Sequence, residues 1–376
     1  MESLTPPTSY ELVQPVTLEN LLEGGKIFWL FILSMFVGTM LMPGQRVLGT
    51  PLAGNGERKS YTVNGLNLFL FINFATSICT IFNQVSLIPV IKYFWSIFVW
   101  ANIFALGFSI YLMISRKTTA KKGNFFHDFW YGPDLNPSLF GVDLKMFFYQ
   151  PSLIGLHLIL VAFLDYQRTY LGHITIQMYM FQAFWWLYLF THYMKEEFML
   201  STWDIIAEHF GFMLVWGDMV YLPFLYSLCG WYVADEKEDM AFLHALGVIA
   251  FHAVFHYIFR VSNWQKYYFK KYGKNHKIWG KPCQTLESEN GETGLLISGF
   301  WGVGRHLNYT GEIGTYFSFA LCCGFSNIIP YLLPVSLIIL LSHRAHRDDK
   351  RCKKKYGALW DKYCGIAKFK IFPYVY

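Results

Sequence analysis

Long apolar runs separated by short polar segments dominate this chain. The runs cover approximately residues 26–43, 65–90, 92–115, 151–167, 172–193, 210–233 and 241–260. They reach the length that a helix needs to cross a bilayer, about 20 residues. A last run, 313–342, contains Pro330 and Pro334 and predicts a helical hairpin or a broken helix. The pattern therefore predicts an all-α, polytopic membrane bundle of about 8–10 transmembrane helices.

The composition supports a membrane protein. Of the 376 residues, 54% are hydrophobic, 20% are aromatic and 15% are charged, whereas soluble domains average about 25% charged residues. The first residues are acidic and contain prolines, so we predict an N-terminal tail or surface strap over 1–25 and a single membrane domain over 26–376. Polar loops are expected at 44–63, 116–150 and 261–311.

Basic residues form three clusters beside the apolar runs. Residues 261–285 contain six lysines and no acid, and residues 343–355 contain seven lysines and arginines. The third cluster consists of Arg116, Lys117, Lys121 and Lys122. The positive-inside rule places all three clusters on the cytoplasmic side. Anchoring of the topology explains the third cluster, but the first two bracket an unusual polar segment.

That segment is GFWGVGRHLNYTGEIG, at residues 299–314. Lysine and arginine in the flanking clusters suit phosphate groups, and the rings and amides of the segment suit stacking and hydrogen bonding. The chain has neither a GxGxxG motif after a strand nor a GxxxxGK[ST] motif. We therefore predict a cytoplasm-facing pocket in the half from about 261 to 376, which holds a nucleotide without a Rossmann domain or a P-loop.

Several motifs resemble those of the sterol reductase family. This family includes sterol C14, Δ7 and C24(28) reductases and the membrane domain of the lamin B receptor. The similar segments are LLISGFWGVGRHLNYTGE and the tail from HRAHRDDKRCKKKYG onward, YGPDLNP with GVDLKMFF at 131–148, and STWDIIAEHFGFMLVWGDMVYLPFLYSL at 201–228. They stand in the family's order from about residue 125 to the end of the chain.

The resemblance implies a membrane enzyme that reduces a sterol carbon–carbon double bond with NADPH. From the histidine pattern we expect no metal site. By the matching motifs, the resemblance implies cofactor binding by Lys266, Lys270, Leu296, Trp301, Arg305, His306, Asn308, Tyr309, Asp348, Cys352, Lys353, Lys354, Lys355, Tyr356 and Tyr363. Three residues depart from the family pattern. Lys270 replaces a frequent Arg, which weakens any forked contact there, whereas Phe300 for Trp and Glu312 for Asp are mild changes.

The position of the reduced double bond is less constrained. The segments EHFGF, KIWGKP and SGFWG are similar to those of Δ7 reductases, whereas AHRDDKRCKKKYG is similar to that of C24(28) reductases. We favour Δ7 and keep C24(28) and C14 as alternatives.

An alkene is a poor hydride acceptor until it is protonated, so this reaction needs an acid in an apolar cavity. Ionisable groups inside a membrane are costly and are therefore functional candidates. The candidates are Tyr226, Asp218, Tyr221 and His209. Helical spacing would bring Asp218 and Tyr221 together. The alternative is structural: Asp218 satisfies a neighbouring helix and the tyrosines mark the membrane interface.

Three other functions were weighed. His252 and His256 have the HxxxH spacing of di-iron enzymes, but the further histidine clusters of such sites are missing. An isoprenylcysteine-type methyltransferase would carry Pro where Leu307 stands. A sterol-binding protein without activity is the third alternative.

The expected partners are a sterol and membrane lipids, with no nucleic acid. The expected location is the endoplasmic reticulum membrane in a eukaryote or the inner membrane in a bacterium. The oligomeric state stays open.

Overall fold

The computed structural model describes residues 7–52, 56–81, 86–115, 124–287 and 294–375. Helices dominate these residues, which confirms the predicted all-α architecture. The basic cluster at 116–122 lies outside the described residues. Within them, five helical segments are long and apolar enough to cross a membrane, and a shorter apolar helix covers Gly65–Ile78. The five segments are Leu18–Leu41, Phe94–Ile114, Leu144–Leu171, Phe212–Asp235 and Phe242–Asn275.

The chain forms two compact units, Met1–Asp239 and Met240–Tyr376. The helices of the first unit are α1 (Leu18–Leu41), α2 (Gly65–Ile81), α3 (Ile88–Lys92), α4 (Phe94–Ile114), α5 (Phe125–Tyr131), α6 (Leu144–Tyr166), α7 (Ile176–Met194), α8 (Trp203–Ile206), α9 (Phe212–Trp216) and α10 (Leu228–Asp235). Its strands form two antiparallel hairpins, β1 (Gln45–Leu48) with β2 (Ser60–Val63) and β3 (Ser138–Leu139) with β4 (Val142–Asp143).

Helix α6 is the centre of the first unit. It contacts α1, α7 and α10, and 72% of the most apolar window of its segment, Leu144–Leu171, is buried inside the protein. A helix enclosed on all sides must be apolar around its whole circumference. This explains why the run at 151–167 is almost continuously hydrophobic.

The N-terminal segment lies across one end of this unit. The Tyr166 hydroxyl donates to the Pro7 carbonyl at 2.5 Å, and the Ser9 amide donates to Asp235 Oδ1 at 2.6 Å. Helix α1 begins at Leu18, earlier than residue 26, because Thr17 caps it by accepting from the Asn20 amide.

The second unit contains a helical hairpin, as predicted from the interrupted apolar run. Its helices are α11 (Phe242–Tyr272), α12 (Leu307–Leu321), α13 (Leu332–Tyr356) and α14 (Ala358–Ile366). Its strands pair antiparallel, β5 (Lys277–Ile278) with β6 (Lys281–Pro282) and β7 (Thr285–Glu287) with β8 (Gly294–Leu296). Pro330 lies in the 3₁₀ turn before α13, where a proline is compatible with the first helical turn.

Two glycines let α11 and α12 approach closely. A Cβ atom on Gly311 would lie 2.3 Å from the Phe259 backbone nitrogen, and one on Gly314 would lie 2.1 Å from the Phe255 ring. Both distances are far below van der Waals contact. Part of the segment 299–314 therefore serves helix packing.

A buried carboxyl joins two helices of the first unit and predicts a pH dependence of stability. The Gly65 amide, at the start of α2, donates to Glu196 Oε2 at 2.8 Å, and Glu196 is 3% exposed. Burial raises the pKa of Glu196 to about 7. The unfolded chain therefore releases this proton at lower pH than the folded protein, and the stability falls as the pH rises from about 4.5 to about 7.

Glu196→Gln should remove this loss, because an amide accepts the same hydrogen bond without ionising. Its Tm relative to the parent should rise between pH 5 and pH 8, corresponding to at most about 3 kcal/mol. Thermal unfolding of the purified protein in detergent measures the difference. Glu197→Gln, at the more exposed neighbouring carboxyl, is the control. A Tm difference that is the same at both pH values would contradict the prediction.

Candidate functional site

Basic side chains from α11 and α13 lie close together in the second unit. The positive charges of Lys266, Lys355 and Arg351 all act on the ammonium group of Lys270, and the opposing carboxylate nearby is that of Asp348. Asp348 is itself paired with Arg351. The cluster therefore holds more positive than negative charge, which an anion with several phosphates would neutralise.

An aromatic wall lies beside these charges. The Lys266 ammonium lies 4.5 Å from the centroid of the Trp301 ring, and Trp301 packs in one buried cluster with Leu296. The indole N–H of Trp301 donates to the Ser262 carbonyl at 2.8 Å. The Tyr363 hydroxyl donates to the Trp301 carbonyl at 3.0 Å, and burial raises the pKa of Tyr363, so this donor stays protonated. Trp301 is therefore held rigidly from two sides.

Asn308 offers an unused hydrogen-bond acceptor in the same unit. Its Nδ2 donates to Asn263 Oδ1 at 3.2 Å. Its Oδ1 atom is buried and has no hydrogen-bond partner within the described residues. A buried acceptor without a partner is costly. The carboxamide or ribose group of a dinucleotide could supply the missing donor, so the residues present fit such a cofactor.

Arg305 is oriented toward the C-terminal segment. Its backbone amide donates to the Phe369 carbonyl at 2.9 Å, and its Nη1 donates to the Ala367 carbonyl at 3.3 Å. Its Nε lies 3.9 Å from Asp349 Oδ1. These contacts support a role in anchoring the chain end beside the cofactor residues.

His306 stacks on Tyr309, with ring centroids 4.9 Å apart and planes 8° apart. Burial lowers the pKa of His306, and the positive charge of Lys266 acts in the same direction. Although His306 Nε2 lies 3.9 Å from Asp348 Oδ2, the pKa shift keeps the ring neutral. Its contribution is therefore a flat surface and not a charge.

The rest of the predicted basic stretch divides into two groups. Cys352 Sγ lies 3.8 Å from Asp348 Oδ2, and Tyr356 packs on the buried cluster around Trp360. Lys353 instead forms an ion pair with Asp361 on α14, and Lys354 is exposed. The structure therefore brings Cys352 and Tyr356 toward the aromatic wall and pairs Lys353 with α14 instead.

The sequence motifs did not identify three residues that the structure places in this region. Asn263 is the partner of Asn308, Gln265 Oε1 accepts from the Phe300 amide at 3.0 Å, and Asp349 lies against both Arg305 and the indole N–H of Trp360. Helical spacing could have identified Asn263, because it lies one turn before Lys266 and two turns before Lys270.

The candidate acids lie in the first unit, on, before and directly after a π-helix over Gly217–Leu225. In such a helix, residues five apart face the same way. Tyr221 and Tyr226 accordingly contact each other, with ring centroids 5.8 Å apart. Asp218 is 8% exposed, and the described residues give it neither a hydrogen bond nor an ion pair. Within the described residues, the structure thus pairs the two tyrosines and shows no hydrogen bond between Asp218 and Tyr221.

His209 lies in the loop before this helix. Its Nδ1 lies 3.1 Å from the Pro133 carbonyl and must donate to it, which leaves Nε2 without the proton when the ring is neutral. A buried lysine, Lys145, holds this loop, because it donates to the carbonyls of Asp204 and Glu208. The sequence motifs did not identify it as a functional residue. The motifs at 131–148 and 201–228 therefore form one structural element.

Comparison with known proteins gives a consistent picture. The family model described as "Ergosterol biosynthesis ERG4/ERG24 family" matches residues 12–376. The chain is 34% identical over 355 residues to a Delta(14)-sterol reductase of Arabidopsis thaliana, an alignment that covers 92% of this chain and 94% of the relative. It is 33% identical over 344 residues to a Delta(14)-sterol reductase of Methylotuvimicrobium alcaliphilum, covering 89% of this chain and 79% of the relative.

A 7-dehydrocholesterol reductase of Xenopus laevis is 36% identical over 260 residues, which cover 67% of this chain and 55% of the relative. The family match extends over both units and includes the basic cluster, the aromatic wall and the π-helix. The chain therefore belongs to the ergosterol biosynthesis ERG4/ERG24 family.

Proposed function

We propose that this protein reduces a carbon–carbon double bond of a sterol and uses NADPH as the hydride donor. The observation that carries the proposal is the excess of positive charge around Lys270, together with the buried, unpaired acceptor of Asn308. The names of the relatives, which are sterol reductases, support the substrate class.

The residues of the second unit would bind and orient the cofactor, which supplies a hydride when it is bound. Lys270 and Arg351 would hold the pyrophosphate by charge, and Lys266 would bind the 2′-phosphate. Trp301, fixed by Ser262 and Tyr363, would pack on the cofactor. The surplus charge favours NADPH over NADH, because only NADPH carries a 2′-phosphate.

The residues of the first unit would supply the proton. We assign this role to Tyr226, whose phenol would donate its proton to one alkene carbon and leave a carbocation on the other. The Tyr221 ring, 5.8 Å away, would orient the donor. His209 is the reserve candidate. Its neutral Nε2 has no proton to give, so His209 could act as the acid only in its protonated form.

Two positions of the double bond have equal support. The motifs that are similar to those of Δ7 reductases favour a Δ7 double bond. The matched Xenopus relative is named a 7-dehydrocholesterol reductase. The relatives aligned over most of this chain are Δ14 reductases. A C24(28) double bond is the third alternative, from motif similarity alone.

Membranes that contain the protein should convert either a Δ7 or a Δ14 sterol when NADPH is added. A panel of Δ7, Δ14 and C24(28) sterols, analysed by gas chromatography and mass spectrometry, identifies the position. Membranes without the protein are the control. If sterols bind but none is reduced, the protein is a sterol-binding member of the family and the proposal is wrong.

A further inference from the structure

A cavity of about 400 Å³ lies at one end of the first unit. It is enclosed by the end of α1, the β1–β2 hairpin, the β3–β4 turn and the start of α6. The C-terminal end of α1 lies beside the first two turns of α6 there, and Thr39 Oγ1 donates to Gln150 Oε1 at 2.6 Å. Both helices belong to segments that are long and apolar enough to cross a membrane, so we place the cavity at the membrane boundary.

One wall of the cavity is the polar face of the β1–β2 hairpin. Side chains alternate between the faces of a strand. Tyr61 packs into a buried cluster on one face, whereas Arg46, Ser60 and Thr62 are exposed on the other face and line the cavity. Within the described residues, the side chains of these three residues have neither a hydrogen bond nor an ion pair. They therefore present unused donors at the cavity mouth.

Another part of the lining is apolar and exposed. Met40 is 51% exposed on α1, and Phe140 is 79% exposed at the β3–β4 turn. Phe36 links the turn to the bundle, because its ring contacts those of Phe140 at 6.5 Å and Phe147 at 5.2 Å. Exposed apolar side chains at the end of a membrane helix lie in the acyl region of the bilayer.

The remaining polar groups of the cavity are already paired. Lys59 forms an ion pair with Asp143 at 2.6 Å and also donates to the Asn136 carbonyl. The charged lining residues are Arg46, Lys59 and Asp143, so the lining carries a net charge of +1, located at Arg46.

We propose that this cavity binds one anionic phospholipid. The phosphate lies on the Arg46 guanidinium, which offers a planar fork of donors, and accepts further hydrogen bonds from Ser60 and Thr62. One acyl chain lies along Met40 and Phe140. An anionic lipid is favoured over a zwitterionic one, because the lining offers no unpaired carboxylate to a choline or ethanolamine group.

The test is native mass spectrometry of the purified full chain with phosphatidylglycerol and phosphatidylcholine of identical acyl chains. The parent should bind phosphatidylglycerol more tightly. Arg46→Gln should weaken that binding by about tenfold or more and remove the preference, whereas Arg46→Lys should keep part of it. Arg58→Gln is the matched control, since Arg58 is exposed just before the hairpin strand but does not line the cavity.

Phe140→Ser tests the apolar wall separately and should weaken both lipids without changing the preference. The proposal is overturned if Arg46→Gln binds phosphatidylglycerol as the parent does. It is also overturned if glycerol 3-phosphate binds as tightly as the lipid, since the acyl chain would then contribute nothing, or if a sterol displaces the lipid from the cavity.

Discussion

Tyr226→Phe is expected to lower the rate of sterol reduction by about 100-fold or more, while the affinity for NADPH stays unchanged. The substitution removes the hydroxyl group and keeps the ring that packs on Tyr221 at 5.8 Å. Transfer of a proton by a positioned acid contributes roughly 10²–10⁴-fold to a rate. Single-turnover reduction and equilibrium binding of NADPH by the purified variant measure the two properties separately.

Two further variants make this result specific. Tyr232→Phe, in the following helix α10, should reduce sterol at the parent rate. Tyr221→Phe keeps the ring contact with Tyr226 and should have a smaller effect than Tyr226→Phe. If Tyr226→Phe reduces sterol at the parent rate, Tyr226 is not the acid, and Tyr221 or His209 takes its place.

Lys266→Ala should weaken NADPH binding by roughly 10–150-fold and NADH binding much less. A charge-assisted hydrogen bond contributes about 1.5–3 kcal/mol, which corresponds to that range of affinities. The proposed role of Lys266 in reading the 2′-phosphate concerns NADPH only. The contact of Lys266 with the Trp301 ring, at 4.5 Å, would be lost equally with either cofactor. Titration of both dinucleotides by calorimetry measures the ratio.

Asn308→Ala is the informative comparison for Lys266→Ala. The nicotinamide and its ribose are common to NADPH and NADH, so loss of the unpaired Asn308 acceptor should weaken both to the same degree. Lys362→Ala, at an exposed lysine on α14 that the motifs do not assign to the cofactor, should change neither. Equal weakening of NADPH and NADH by Lys266→Ala would show that Lys266 does not distinguish them.

The hydrophobic pattern alone predicted most of the helices, because burying apolar side chains in lipid requires long apolar runs whatever their neighbours are. The two prolines in the run 313–342 predicted the turn between α12 and α13, since proline disfavours a helix interior; Pro330 lies in that turn and Pro334 in the first turn of α13. The motifs, by their order and length, predicted the family. These features depend on residues close together in the chain.

The contacts within the candidate sites depended on the tertiary structure. The sequence did not predict a π-helix over Gly217–Leu225, which places Tyr221 on Tyr226, because one extra residue per turn is stabilised by packing around the segment and not by its own pattern. Nor could it predict that Asn263, 45 residues away, would use the amide of Asn308 and leave its oxygen unpaired.

The same holds for Arg46, which the sequence shows only as a charge in a polar loop. Its role as the unpaired cation of a cavity follows from two distant short hairpins that meet beside α1 and α6. Local sequence therefore determined where the long apolar helices lie and which family the chain belongs to. Packing between distant segments decided which polar atoms were paired and which were left to bind a ligand, because pairing depends on distances that only the folded chain sets.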